Sequence, residues 1–251
     1  MVVQFENLCF GYNRKRQILK NINLTLPSNK FIAILGPTGC GKTTTVKQIN
    51  QILKAQIGRV LVDGRAVQDM TSLEIAKTIA YVPQMTSGVM NGSVMDTVML
   101  GRKPYIKWKP SEEDIEIVSN CLMRFHLEGI AQREFNALSG GQKQTVLIAR
   151  ALAQTPRLYL FDEPVSFLDV RNQLEIMTAA RELVDRDGKT VIMVLHDLNM
   201  ALRFADHIVI MKEGNVFAQG APQEVITEEN ILAVYGTHAQ IRGGEYVITS
   251  L

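Results

Sequence analysis

The chain is poor in cysteine, nearly balanced in charge, and without a long apolar run. Each shortage removes a class of protein. Only three cysteines occur in 251 residues, Cys9, Cys40 and Cys121. They are odd in number, scattered, and lack the spacing of metal-ligand pairs. A disulfide framework is not expected, and a reducing compartment suits them. The formal net charge is only +2. That is too small to hold a nucleic acid or an anionic membrane surface by electrostatics alone. No apolar run approaches the ~20 residues that span a bilayer. The opening "MVVQFENLCF" has no basic segment followed by an apolar one, so no signal peptide is expected. Any membrane association is expected to come through a partner. Repeats and low-complexity stretches are also missing.

What remains is ordinary globular material, 46% hydrophobic and 21% charged. This length suits one large α/β domain or a core with an inserted subdomain. Three short runs, "FIAIL" (31–35), "LYLF" (158–161) and "VIMVL" (191–195), are apolar on both faces and read as buried parallel strands. "GRVLVDGR" (58–65) reads as a half-exposed strand and turn, and "IAYVPQ" (79–84) as a strand stopped by Pro83. "VVQFENLCFGY" and "INLTL" alternate in the antiparallel manner. Between about Ser87 and Thr155 the patterns are helical. Ile115, Val118, Cys121, Leu122 and Phe125 fall at helix spacing there. "RKPYIKWKP" (102–110) reads as a basic loop. The expected division is a core of 1–86 and 156–251 with a helical insertion, 87–155.

The chemistry concentrates in a few stretches. "GPTGCGKT" fits G-x-x-x-x-G-K-[ST] between a strand and a helix expected from about Lys42 to Leu53. Its glycines let backbone N–H groups close on phosphate oxygens. Lys42 should reach the terminal phosphates, Thr43 should bind Mg²⁺, and Thr44 should touch another phosphate oxygen. "LYLFDEP" ends a buried strand in two carboxylates. Asp162 suits the Mg²⁺ shell, while Glu163 points elsewhere and suits polarising a water, or is a solvated acid beside a turn. His196 and Gln84 also end strands, where ligands of open α/β sheets collect. An amide oxygen at Gln84 can face Mg²⁺ or water. "LSGGQ" (138–142) offers a hydroxyl and two glycines at a helix start. It fits both an anion donor and a plain helix cap. The run Val146, Ala149, Leu152 and Ala153 reads as core packing.

This order of motifs resembles the nucleotide-binding subunit of ABC transporters over most of the chain. "GPTGCGKT" resembles Walker A, "YVPQ" the Q-loop, "LSGGQ" the family signature, "LYLFDE" Walker B, "SFLD" the D-loop and "VLHD" the His switch. The resemblance implies a RecA-like P-loop NTPase core with an antiparallel β subdomain and an inserted α-helical subdomain. It implies ATP and Mg²⁺ as ligands, with Thr43, Gln84 and Asp162 on the metal. Glu163, His196 and Gln84 become the catalytic group. Nucleotide contacts fall to Tyr12, whose ring matches the residue that stacks on adenine, and to Gly36, Pro37, Thr38, Gly39, Cys40, Gly41, Lys42, Thr43 and Thr44. Ser139, Gly140, Gly141, Gln142 and Asp169 complete the set from a second copy, in a head-to-tail dimer sandwiching ATP. Cys40 stands where Ser or Ala is common, and "VSFLD" has Val165 and Phe167 where Thr and a small residue or His are frequent.

"VMLGRKPY" (98–105), "HDLNMALRFADHIVIMKEGNVFAQGAPQEVIT" (196–227) and "ILAVYG" (231–236) are similar to ATPase subunits of importers for iron-siderophores, haem and vitamin B12. The implied partners are a second copy, a multi-span permease and, indirectly, a periplasmic or lipoprotein binding protein, with no nucleic acid. The implied place is the cytoplasmic face of the membrane, peripherally attached. The alternatives are a non-transport ATP-switched dimer or scaffold, and an exporter subunit. Non-transport relatives tend to carry a long coiled coil or tandem cassettes, and neither pattern is present. His238, in the tail, is assigned nothing beyond an exposed strand position.

Overall fold

In the computed structural model, residues 1–13, 16–84, 91–166, 168–242 and 245–250 are described. Phe167 and residues 85–90, which belong to stretches singled out above, lie outside them. Contacts divide the chain into two units, Met1–Met70 with Ala179–Leu251, and Thr71–Thr178. The segment 87–155 falls inside the second.

Alternation builds the start of the first unit. In β1 (Val3–Phe10), Val3, Phe5, Leu8 and Phe10 are buried. β1 pairs antiparallel with β2 (Leu19–Leu26). The fully buried β3 (Phe31–Leu35) follows, then α1 (Lys42–Ile49). α1 is shorter than the run to Leu53 expected from sequence. Gln51 turns left-handed at φ 58°, and the Leu53 N–H donates back to the Lys47 carbonyl at 3.0 Å. A residue in that conformation ends a helix. β4 (Ile57–Val62) pairs with the other edge of β1. Asp63 and Gly64, both at positive φ, then turn it tightly into β5 (Arg65–Ala66).

The second unit contains α2 (Ser72–Thr78), β6 (Ile79–Val82), α3 (Val94–Met99), α4 (Glu112–Arg124), α5 (Gly140–Ala153) and β7 (Leu158–Asp162). β6 and β7 pair in parallel, as buried apolar strands should. All four helices open on a capping box, Thr71/Glu74, Ser93/Asp96, Ser111/Asp114 and Ser139/Gln142. Each such cap is worth about 1 kcal/mol. Helices α3, α4 and α5 pack together through Val98, Val118, Leu122, Val146, Ala149 and Leu152, all buried.

One position on α4 departs from the sequence expectation. Ile115 is 45% exposed, and its neighbour Asp114, only 5% exposed, takes an inward place. The reason is a charge partner. Arg102 Nε donates to Asp114 Oδ1 at 2.8 Å, and Arg102 Nη1 donates to the Ala153 carbonyl at 2.9 Å. The Arg102 guanidinium also lies 4.2 Å from the Tyr105 ring centre. Past this anchor the basic loop runs outward, and Trp108 is 98% exposed.

α6 (Val170–Asp185) carries the chain back to the first unit. There follow β8 (Thr190–Val194), α7 (Leu198–Phe204), β9 (His207–Lys212), β10 (Asn215–Gly220), α8 (Pro222–Val225) and α9 (Glu228–Tyr235). A hairpin of β11 (His238–Arg242) and β12 (Glu245–Ser250) ends the chain. In this unit β3 lies between β8 and β9, parallel to both, and β10 adds antiparallel to β9. β3 and β8 thus release the phosphate loop and His196 from adjacent parallel strands. Among the described residues, no helix is long and apolar enough to cross a membrane.

Candidate functional site

The first unit supplies a phosphate cradle. The Lys42 side chain, 5% exposed, donates to the carbonyls of Gly36 at 2.8 Å and Pro37 at 3.1 Å. Its ammonium is therefore held inside the loop. Gly41 leads α1 at φ 109°, and no side chain caps the helix. A buried ammonium beside an uncapped helix N-terminus fits a polyphosphate. Gly36 is required by space as well as by its φ of 144°, because a Cβ there would meet the Met211 carbonyl oxygen at 2.2 Å.

Tyr12 belongs to the same neighbourhood. Its hydroxyl is 3.3 Å from Thr44 Oγ1, and its ring stands edge-on to Phe10 with centres 5.2 Å apart. The Tyr12 side chain remains 62% exposed, so the ring can receive a planar group. Thr38 and Gly39 are exposed, whereas Cys40 is buried. Burial pushes the Cys40 thiol above its ordinary value, against the opposing charge of Lys42. The thiol is protonated at neutral pH and contributes no charge to the loop.

A cleft of about 400 Å³ opens beside the loop, lined by Pro37 to Cys40 and by Arg16, Lys20 and Lys212. These cations were not singled out from sequence, although the basic run after Tyr12 was a legible sign. They supply positive charge where an anionic ligand would approach. His196 follows β8 and is exposed. Asp197, the next residue, caps α7 by accepting from the N–H groups of Asn199 at 2.7 Å and Met200 at 3.0 Å.

The second unit gathers carboxylates. Asp162 ends β7 and is almost fully buried, with the Tyr81 hydroxyl donating to Oδ2 at 3.1 Å. Glu163 turns left-handed at φ 51°. That conformation is costly for a residue with a side chain and recurs at functional sites. Gln84 Nε2 donates to Glu163 Oε2 at 2.7 Å, and Ser166 Oγ lies 3.4 Å from the same oxygen. Tyr81 and Ser166 were missed from sequence, since neither residue type stands out alone.

The signature stretch is a cap in this structure. Ser139 Oγ accepts from the Gln142 N–H at 3.3 Å, and Gln142 Oε1 accepts from the Ser139 N–H at 3.1 Å. Asp169 also caps a helix, accepting from Asn172 N–H at 2.9 Å and Asn172 Nδ2 at 2.7 Å. Gly141, Gln142 and Asp169 line one cleft of about 440 Å³ together with Thr145 and Arg171. Two separated motifs of the sequence thus share one surface within this unit.

Comparison with known proteins identifies the family and the fold. The family described as ABC transporter matches residues 19–166. An uncharacterised ABC transporter ATP-binding protein of Methanocaldococcus jannaschii is 44% identical over 96% of this chain and 94% of its own length. The ferric enterobactin transport ATP-binding protein of Escherichia coli is 35% identical, covering 94% of this chain and 88% of the relative. Among solved structures, a metal-chelate type ABC transporter in an inward-facing conformation superposes with a TM-score of 0.82 at 28% identity, over 100% of this chain and 97% of the other. A dimeric ATP-binding cassette holding ADP and Pi gives 0.79 at 33% identity, over 88% and 98%. The fold is the RecA-like P-loop NTPase core with an antiparallel β subdomain and an inserted helical subdomain. The chain belongs to the ABC transporter family, as an ATPase of its ATP-binding-subunit class.

Proposed function

We propose that this ATPase energises uptake of a metal-chelate, of the iron-siderophore, haem or cobalamin class, through a separate multi-span permease. The subunit would sit at the cytoplasmic face of the membrane, with a periplasmic or lipoprotein binding protein delivering cargo. The observation that carries the ATP-dependent part is the Lys42 ammonium held inside the uncapped loop. The cargo class is supported by relatives named for ferric enterobactin and iron-hydroxamate transport.

Gly36 to Thr44 receive the phosphates, and Tyr12 packs on the base. Thr43, Asp162 and Gln84 are the side chains whose oxygens suit Mg²⁺, which when bound neutralises phosphate charge. Glu163 orients and polarises the attacking water, and His196 contacts the terminal phosphate. Ser139 to Gln142 and Asp169 serve the nucleotide of a second copy in a head-to-tail pair, a reading supported by dimeric cassettes among the structural relatives. The subdomain for that contact is taken as 87–155. Nucleotide-dependent pairing and separation would bias the permease between states.

Affinity purification from the native membrane tests the transport reading. The expected partner is a protein with many apolar spans. A soluble or nucleic-acid partner in its place would favour an ATP-switched scaffold.

A further inference from the structure

The tail from Tyr235 onward was left without a role by the sequence, yet it and α9 before it are tied to the first unit at two places. The first is the switch helix α7. Asn199 Nδ2 donates to the Tyr246 carbonyl at 3.1 Å, and Asn199 Oδ1 accepts from the Tyr246 N–H at 2.6 Å. A side-chain amide offers one donor and one acceptor side, so it pairs with a strand backbone as another strand would. The contact spans 47 positions of sequence and lands on the buried Tyr246 of β12. A two-stranded hairpin is marginal on its own. This one packs on α9 and α7, and among its described side chains Ala239 and Tyr246 are buried.

The second tie is at the phosphate loop. Val234 of α9 lines the cleft with Pro37 to Cys40. Lys212, lining the same cleft, donates to the Ala233 carbonyl at 2.8 Å. α9 therefore borders the loop's cleft at one end of the tail, while the hairpin bonds to α7 at the other.

We propose that Asn199 is a positioning residue for His196, clamped by the C-terminal hairpin, so that the tail fixes the switch helix relative to the phosphate loop. This rests on the catalytic reading of His196 given above. Asn199 is three residues beyond His196, in the first turn of a helix that Asp197 caps. The cap fixes where α7 begins, and the Asn199 amide fixes where α7 sits. A group misplaced by about 1 Å in an active site can lose roughly a hundredfold in rate. A remote clamp on a short helix is thus able to matter for turnover without touching the nucleotide.

The test is a double-mutant cycle in the full chain, reading steady-state ATP hydrolysis and nucleotide affinity separately. His196→Ala is expected to lower turnover, and no effect would overturn the His196 reading itself. Asn199→Ala is expected to lower kcat roughly tenfold with nucleotide affinity within about twofold. In the His196→Ala background, Asn199→Ala should cost less than about twofold more. A full, additive loss in that background would overturn the positioning role while leaving His196 catalytic. An unchanged kcat in Asn199→Ala would overturn it too. Should Asn199→Ala fail to fold, Asn199→Asp keeps the side-chain shape and the acceptor for Tyr246 but removes the donor. It must show the same dependence on His196, and additivity there refutes the clamp.

Discussion

The amide nitrogen of Gln84 donates to the Glu163 carboxylate at 2.7 Å across 79 positions of sequence. A residue proposed for the metal and a residue proposed for the water thus hold each other. Glu163 is kept in a left-handed backbone, and the Gln84 contact fixes where its carboxylate points. Replacing Glu163 by Gln removes the negative charge proposed to polarise water while nearly keeping shape. Hydrolysis should fall by at least ~100-fold, the usual scale for losing a positioned base. ATP binding should persist, and ATP should trap a closed dimer. Phosphate release, equilibrium nucleotide binding and gel filtration check the three parts. Unimpaired turnover would remove Glu163 from the mechanism.

Ser139 separates two effects that a cap and a partner contact would mix. Ser139→Ala breaks the capping box with Gln142 and should cost about 1 kcal/mol of stability. Ser139→Arg should leave ATP binding to the isolated subunit nearly intact and abolish ATP-driven pairing. Thermal melts read the first effect, while nucleotide titration and sedimentation read the second. If the arginine variant fails to bind ATP as a monomer, the signature and the phosphate loop serve one nucleotide rather than two.

Arg102 and Asp114 form a buried pair whose members are 6% and 7% exposed in their side chains. Breaking such a pair from one side strands a charge and costs about 3–5 kcal/mol. Asp114→Asn and Arg102→Met should each lower the melting temperature strongly. The double variant should be less damaged than the sum, because no unpaired charge remains. Additive single effects would show that the pair is not the unit of stabilisation.

The acid limb of stability follows from the capping carboxylates of α3 and α4. Asp114 is held below the ordinary carboxylate value by the Ser111 backbone N–H first and by the Arg102 guanidinium next. Asp96 is lowered by the Ser93 hydroxyl and backbone. A carboxylate depressed in the folded state contributes stability that is fully present above its unfolded value. That contribution is lost as pH falls through the folded value. Stability should therefore decline on acidification below the ordinary carboxylate range, and Asp114→Asn should flatten that decline. Urea unfolding at a series of pH values measures it.

Gly36→Ala tests the loop itself. The added methyl would collide with the Met211 carbonyl and adopt an unfavourable φ, so the loop must shift. Nucleotide affinity should fall together with stability. Wild-type affinity in this variant would show that the loop tolerates movement there.

The parts most legible in sequence were those written in one continuous stretch. β3, the phosphate loop and the start of α1 follow each other without a break, so local pattern suffices. The end of α1 was misplaced because Gln51 adopts a left-handed turn that its residue type does not announce. Ile115 was assigned inward because helix spacing counts apolar residues, and cannot know that Arg102, twelve positions earlier, draws Asp114 inward instead. Gln84 with Glu163, and Asn199 with Tyr246, were invisible for a related reason. Each pairs common polar residues from distant segments, and only folding brings them within bonding distance. The two faces of "LSGGQ" remained open in sequence, and the structure shows the cap.

Trp108 is the only tryptophan of the chain and stands 98% exposed on the loop beyond Arg102. Its fluorescence in the native protein already reports water, so unfolding should change the emission maximum little. Tryptophan emission would therefore report unfolding only weakly, and far-ultraviolet circular dichroism is the stronger observable. The same placement makes the residue a built-in optical label. Whatever surface comes to cover the loop in the assembled transporter should shift this one emission band to the blue and protect it from a dissolved quencher.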